Sequence, residues 1–353
     1  MTHGGHGGNV WSGGIPADWL DYSANVRPGG PPAWVRRALT HAMENVAYYP
    51  QVSMERARSA LGQFLSLPPE RVLPTAGGIS AISLAVHLNA DRVRIPAPAF
   101  LEYAQLSERV GLTVERVPLL GADHEVLSPA QALGADLREN TCVWLCNPEN
   151  PIGVGFSPAQ IEELLAVVEE KNGWLIVDEA FIEYCPENTV IDRIGKRQRL
   201  LITGSMTKIL GIPGVRLGYL CGGDILPELE RYQNLWELNC FAESVLLDLP
   251  ENASTIAADT EANRAARAEF VRSLEALGIY VYPSQANFVL CDFGRQVRPL
   301  EDYLHERGVL VRRCMNFTGI DDGRHLRLAV KDEASNERFL TVLEEALKCA
   351  ENL

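Results

Sequence analysis

The sequence lacks any apolar run near the ~20 residues that a membrane-spanning helix needs. Its opening stretch, MTHGGHGGNVWSGG, has neither a positively charged leader nor an apolar segment, so a secretory signal peptide is not expected. A cytoplasmic protein without a membrane partner is the expectation. An excess of positive charge is missing too. Lysine and arginine number 32 against 46 acidic residues, a formal charge of −14. Such a surface repels phosphate backbones and disfavours general nucleic-acid binding, although one basic pocket for a small anion stays open. Eight cysteines are present (Cys142, Cys146, Cys185, Cys221, Cys240, Cys291, Cys314 and Cys349), but no C-x-x-C pair. Most lie in apolar runs such as TCVWLC and YLCGG. They read as reduced core residues, not as a disulfide framework or a zinc site, and no metal is expected. Repeats, low-complexity linkers and charge blocks are also absent.

What is present is an ordinary globular composition. The 353 residues, 46% hydrophobic and 22% charged, suffice for one large domain or two with a core that needs no staple. Strand-like runs fall at 71–74, 92–96, 114–119, 142–147, 174–180, 200–205 and 215–222. Several are continuously apolar, as strands covered on both faces are. Helical patterns alternate with them. In SPAQIEELLAVVEEK, Ser157 is an N-cap, Pro158 the first helical residue and Gln160 the partner in a capping box. Ile161, Leu164, Leu165 and Val168 then form one apolar stripe. This alternation argues for an α/β domain with a mostly parallel sheet. Residues 225–278 read as mainly helical. Strands at 286–293 and 325–330, with a last helix carrying Phe339, Val342, Leu343, Ala346 and Leu347 on one face, suggest a smaller α+β domain.

Four motifs can carry chemistry. In GSMTKILGIPGVRLGYL (204–220), Lys208 follows Ser205 by three residues and precedes Arg216 by eight. A lysine at a strand end among apolar residues is easily desolvated and becomes a nucleophilic amine. Ser205 and Arg216 could hold a phosphate beside it; a solvated lysine is the plainer alternative. In WLIVDEAFIEY (174–184), Asp178 ends an apolar strand, where a lone carboxylate is costly unless partnered. A protonated heteroaromatic nitrogen would serve, as would a simple turn cap. In CNPENPIGVGF (146–156), two Asn-Pro steps force a turn that presents Asn147 and Asn150 at the carboxyl edge of the sheet. In LPTAGGISAISLAVHL (73–88), a helix starts after Gly77 and Gly78, a ready anion site.

Taken in order, the phosphate turn, the asparagine turn, the strand aspartate and the S-x-x-K with its later arginine resemble the fold-type I pyridoxal-phosphate enzymes of aminotransferase class I/II. The resemblance covers nearly the whole chain. It implies a large domain with a mostly parallel seven-stranded sheet and a smaller α+β domain. Residues 1–45 would form an N-terminal arm and part of the small domain, 46–245 the large domain and 246–353 the rest of the small one. It implies pyridoxal 5'-phosphate as cofactor, with Lys208 bonded to it as the internal aldimine. Asp178 would pair with the ring nitrogen, and Asn150 with the ring 3′-oxygen. Gly78 and Ile79 would hold the phosphate through backbone amides, joined by Ser205 and Arg216. Phe100 would stack on the ring, and Tyr49 would reach the phosphate of a neighbouring subunit, which implies a homodimer with shared active sites. Arg327 would bind the substrate's acidic group.

Within that family, HGGN (6–9), LDYSANVRPGGPP (20–32), DEAFIEY and GVLVRRCMNFTG (308–319) look like the threonine-phosphate decarboxylases of cobalamin biosynthesis. The resemblance implies decarboxylation of L-threonine O-3-phosphate to (R)-1-amino-2-propanol O-2-phosphate. His6, Gly7 and Asn25 would meet the phosphate or carboxylate of that phosphorylated amino acid, and Arg312 or Arg313 would supply a second arginine. The HGGHGG stretch reads equally as a flexible tail, and His3 as part of it. Phe181 stands where histidinol-phosphate aminotransferases usually carry tyrosine. Ile79 replaces a usual Ser or Thr, Ser80 an acidic residue and Ile152 a common Thr. Three other readings stay open: a histidinol-phosphate-type aminotransferase, a decarboxylase of L-serine O-phosphate giving ethanolamine phosphate, and a non-catalytic cofactor-binding regulator.

Overall fold

The apolar runs become buried strands in a computed structural model of the chain, which describes residues 6–11, 15–16 and 19–350. His3 lies outside the described residues. In chain order the strands are β1 (Leu20–Asp21), β2 (Val72–Thr75), β3 (Arg92–Ala97), β4 (Thr113–Pro118), β5 (Thr141–Cys146), β6 (Trp174–Asp178) and β7 (Leu200–Ser205). They continue with β8 (Gly218–Gly222), β9 (Tyr280–Val281), β10 (Phe288–Asp292), β11 (Val309–Leu310), β12 (Arg312–Arg313) and β13 (His325–Ala329). The seven expected strands form one sheet in the order β2-β8-β7-β6-β5-β3-β4. Only β8 runs against its neighbours. β5, β6 and β7 are buried throughout, because helices cover both faces.

Local chemistry explains the edges of these elements. Ser157 caps helix Pro158–Glu170 in a capping box with Gln160, and Ile161, Leu164, Leu165 and Val168 are its buried residues. Such a cap is worth about 1 kcal/mol. The seventh strand begins at Gly218 rather than at 215. Arg216 adopts a left-handed conformation (φ 62°), so the chain turns before it enters the sheet.

A second, antiparallel sheet has the order β12-β13-β10-β9, and β1 pairs in parallel with β11. A second core gathers around it, including Phe270, Leu274, Val289, Leu326, Phe339 and Leu343. Tyr22 anchors the N-terminal segment there. Its ring stacks on Phe339 at 4.2 Å and its hydroxyl donates to Asn336 Oδ1 at 2.8 Å. This anchoring places Ser23–Asn25 beside β13, where the two sheets face one cavity. All eight cysteines are free thiols, and no helix among the described residues is long and apolar enough to cross a membrane.

Candidate active site

The cavity lies at the carboxyl ends of β6 and β7, the place where parallel α/β sheets bind ligands. Asp178 is the last residue of β6, and Ser205 is the last of β7, with Lys208 three residues on. Helix Gly78–Ala85 points its N-terminus at the same space. Two glycines permit this approach. Gly77 has φ 85°, and a Cβ on it would strike the Arg216 guanidinium at 2.4 Å. A Cβ on Gly218 would strike the Gly77–Gly78 backbone at 2.5 Å.

Three arginines, Lys208 and His6 line this cavity, against Asp178 as the one lining carboxylate among the described residues. On a chain of charge −14 that is a local reversal of sign. No protein acceptor among the described residues is recorded for Lys208 Nζ. Burial first, then repulsion from Arg216 and Arg327, lowers its pKa to about 8, against a smaller opposing pull from Asp178. Asp178 is 4% exposed. Burial raises its pKa, and the Tyr103 hydroxyl (2.5 Å), then the Thr203 hydroxyl and the Ala180 N–H (3.1 Å), oppose the rise. An acid so placed fits a cationic ring nitrogen inside the cavity.

The phosphate end is equally well furnished. First-turn amides of a helix have no intrahelical acceptors. Around those of helix Gly78–Ala85 sit the hydroxyls of Ser205 and Thr207, 2.8 Å apart, and the Arg216 side chain. Ile79 also lines the cavity, so its missing hydroxyl has stand-ins in Ser205 and Thr207. Where an acidic side chain was expected at Ser80, Glu237 approaches from another segment. It bonds the Ser80 hydroxyl and accepts from the Ala76 N–H at 2.9 Å.

At the opposite end, Arg327 Nη1 donates to Asn150 Oδ1 at 2.7 Å and Nη2 to the Ser23 carbonyl at 2.9 Å. The Asn150 oxygen is thereby used, which turns its amide N–H₂ into the group available to a ligand oxygen. Asn25 Oδ1 and Arg327 Nε are buried without a protein partner, the condition of groups awaiting a polar ligand. Arg312 lines the cavity over Phe317 and donates to Asn316 Oδ1 at 2.6 Å. Strand alternation sends Arg313 the other way, where Nε pairs with Glu301 at 3.2 Å. His6 and Gly7 line the mouth, and His6 Nε2 lies 3.1 Å from Glu102 Oε1.

The structure therefore brings together His6, Gly7, Asn25, Gly78, Ile79, Phe100, Asn150, Asp178, Ser205, Lys208, Arg216, Arg312 and Arg327. It does not bring in Arg313 or Tyr49. Tyr49 is 81% exposed and stacks on Trp236 at 4.6 Å, outside the cavity. Sequence reasoning missed Tyr103, Thr207, Phe317 and Glu237. Thr207 sits inside the quoted lysine motif and could have been noticed. Glu237 carries no local signal at all, because its partners are some 160 residues away.

Comparison with known proteins agrees with this geometry. The profile of the family described as "Aminotransferase class I and II" matches residues 17–343. A threonine-phosphate decarboxylase from Salmonella typhimurium is 31% identical over 98% of both chains. A histidinol-phosphate aminotransferase from Symbiobacterium thermophilum is 32% identical over 94% of this chain and 91% of its own. The crystal structure of a histidinol-phosphate aminotransferase from Clostridium acetobutylicum superposes with a TM-score of 0.83 at 28% identity, covering 94% of this chain and 99% of that one. With a fold-type I architecture and a cavity furnished for pyridoxal 5'-phosphate, the chain belongs to the class I and II aminotransferase family of pyridoxal-phosphate enzymes.

Proposed function

We propose that this enzyme decarboxylates L-threonine O-3-phosphate, giving (R)-1-amino-2-propanol O-2-phosphate and carbon dioxide for cobalamin biosynthesis. The observation that carries the reading is that Arg312 and Arg327, cross-strand partners on β12 and β13, line the cavity together with His6 and Asn25. A substrate with both a phosphate and a carboxylate needs two such anion sites within a few ångströms. The full-length similarity to a threonine-phosphate decarboxylase supports it.

In this reading Lys208 holds the cofactor, with Asp178 at the ring nitrogen, Asn150 at the 3′-oxygen and Phe100 on the ring face. Gly78, Ile79, Ser205, Thr207 and Arg216 take its phosphate. Bound there, pyridoxal phosphate supplies a sink for the electron pair left on Cα when a bond to that carbon breaks. The protein decides which bond that is. Arg312, Arg327, His6 and Asn25 would hold the substrate's phosphate and carboxylate and so select the Cα–carboxylate bond for cleavage. Lys208 Nζ, released from the cofactor by the substrate amine, would then return a proton to the carbon that carbon dioxide leaves. The enzyme acts in the cytoplasm as a homodimer, with Tyr49 of each subunit reaching the partner's phosphate site.

Similarity to a histidinol-phosphate aminotransferase at the same level sustains a second reading, transamination of a phosphorylated amine. Mass spectrometry of products separates the two. Cofactor-loaded protein is incubated with L-threonine phosphate, with L-serine phosphate, and with histidinol phosphate plus 2-oxoglutarate. Loss of carbon dioxide from threonine phosphate, abolished in Lys208→Ala, is the expected result. Glutamate formed from 2-oxoglutarate, with threonine phosphate left intact, would overturn it. A preference for serine phosphate would move the substrate by one methyl group, a difference of only ~1–3 kcal/mol in a binding site.

A further inference from the structure

Tyr103 is fully buried, and its hydroxyl donates to Asp178 Oδ2 at 2.5 Å. Its ring is held on two sides. It stacks on Trp144 at 4.7 Å with the planes 8° apart, and it meets the edge of Phe100 at 5.6 Å. Trp144 lies on β5, directly beside β6. Ser107 donates to the Tyr103 carbonyl at 2.6 Å and fixes the backbone. The hydroxyl is thus held at the Asp178 carboxylate, with the Cys146 thiol as its other polar neighbour. Phe100, which lines the cavity, precedes the helix Glu102–Arg109 that carries Tyr103. One short segment therefore supplies both a ring for the cavity and a donor for the Asp178 carboxylate.

We propose that Tyr103 is a positioning residue for the cofactor: its hydroxyl fixes the Asp178 carboxylate and keeps it ionised, so that the opposite lone pairs hold the proton on the cofactor's ring nitrogen. This rests on the reading of Asp178 as the partner of that nitrogen. The other acids near Asp178 do not share the task. Burial pushes Cys146, Glu149 and Glu179 up, each toward its neutral form. Lys208 is the one cation that acts on Asp178 from across the cavity. Without the tyrosine hydroxyl, the Ala180 N–H and the buried Thr203 hydroxyl remain as the donors facing the carboxylate. A hydrogen bond to a buried charge shifts a pKa by about one to two units. Losing it raises the pKa of Asp178 and moves the shared proton from the ring nitrogen toward the carboxylate.

The test is nitrogen NMR of the full chain loaded with ¹⁵N-labelled pyridoxal phosphate, with wild type, Tyr103→Phe, Asp178→Asn and Lys208→Ala compared across the neutral pH range. Phenylalanine keeps the stack on Trp144. We expect a protonated ring nitrogen in wild type, a deprotonated one in Asp178→Asn, and in Tyr103→Phe a loss of the ring proton about one to two pH units earlier than in wild type. A Tyr103→Phe resonance that follows wild type at every pH, while Asp178→Asn is deprotonated, would reduce Tyr103 to a packing residue and overturn the proposal. A wild-type signal shared by Asp178→Asn would instead overturn the reading on which it rests. Should Tyr103→Phe not fold, 3-fluorotyrosine placed at 103 gives a more acidic phenol and a stronger donor. It is expected to shift the ring titration the opposite way, and no shift overturns the proposal.

Discussion

Lys208 is a base paid for by burial. Its pKa falls from 10.5 to about 8, chiefly through desolvation and then through Arg216 and Arg327. Between those two values the unfolded chain keeps a proton that the folded chain has released. Stability of the cofactor-free protein therefore rises with pH across that window, and below about pH 8 the full cost of the buried charge is present. Lys208→Met is expected to be more stable than wild type at neutral pH by up to about 3 kcal/mol, with the gap closing toward pH 10.5. Urea unfolding at several pH values checks this, and a pH-independent gap would refute it. The two neighbouring arginines offer a second contrast at the same scale. Arg312 lines the cavity while Arg313 pairs with Glu301 on the other side of the strand. Arg312→Ala should lower kcat/KM by roughly 30- to 1,000-fold, the loss of about 2–4 kcal/mol expected when a charge-assisted contact to substrate disappears. Arg313→Ala should stay within about threefold of wild type. Steady-state kinetics on the phosphorylated amino acid measures both.

The turn that follows β6 makes a comparable claim for a whole element. Residues Ile182–Tyr184 form one 3₁₀ turn, tied to the long helix Ala253–Ala276 by the Thr260 hydroxyl on the Glu183 carbonyl. Glu183 is buried there, with Oε2 unpartnered, and burial raises its pKa to about 8. Below pH 4.5 both states hold the proton. Above it the unfolded chain releases the proton while the folded chain does not, so stability falls as pH rises toward 8. Glu183→Gln mimics the neutral acid. It should remove this slope and stabilise the protein near pH 8 by about 3–5 kcal/mol, as read from thermal or urea unfolding. An unchanged slope would show that Glu183 is already ionised in the fold. Nothing in the sequence around Glu183 announces this burial, whereas the strand beside it was plain. WLIVD is apolar without a break because both faces of β6 are covered, and that pattern survives in one dimension. The capping box at Ser157 is legible for the same reason: all its parts lie within four residues. Arg216 shows the limit. It reads as part of a strand, yet a left-handed turn at that residue aims its side chain behind Gly77, and the reason lies in Gly77 and Gly218, far away in sequence. Tyr103 and Glu237 were invisible on the same ground, since each acts on a partner that only the folded sheet brings near.

At the scale of the molecule, one face is unlike the rest of this acidic chain. Met43, Val46, Tyr48, Tyr49 and Val52 are exposed on one segment, and Tyr232, Leu235 and Trp236 on another. The stack of Tyr49 on Trp236 joins the two. Large apolar side chains gathered so on a surface mark an interaction site rather than a solvent face. The same second segment ends in Glu237, which bonds the start of helix Gly78–Ala85, and its Gln233 donates to the Pro74 carbonyl at 2.8 Å. This face is thus tied through Glu237 and Gln233 to the phosphate end of the active site. A second copy of the chain is the occupant in our reading, because Tyr49 is exposed and stacked on Trp236, outside the cavity of its own subunit. Three consequences can be measured together. Sedimentation should give a dimer for the wild type. Leu235→Glu with Trp236→Glu should give a monomer, since two buried charges in an apolar interface cost more than such an interface can absorb. That monomer should also bind pyridoxal phosphate more weakly, because Tyr49 and the Glu237 segment lose their support at once, while Arg313→Ala stays a dimer with normal cofactor affinity. A monomeric double variant that still bound the cofactor like wild type would separate the apolar face from the active site, and the face would then belong to a different partner.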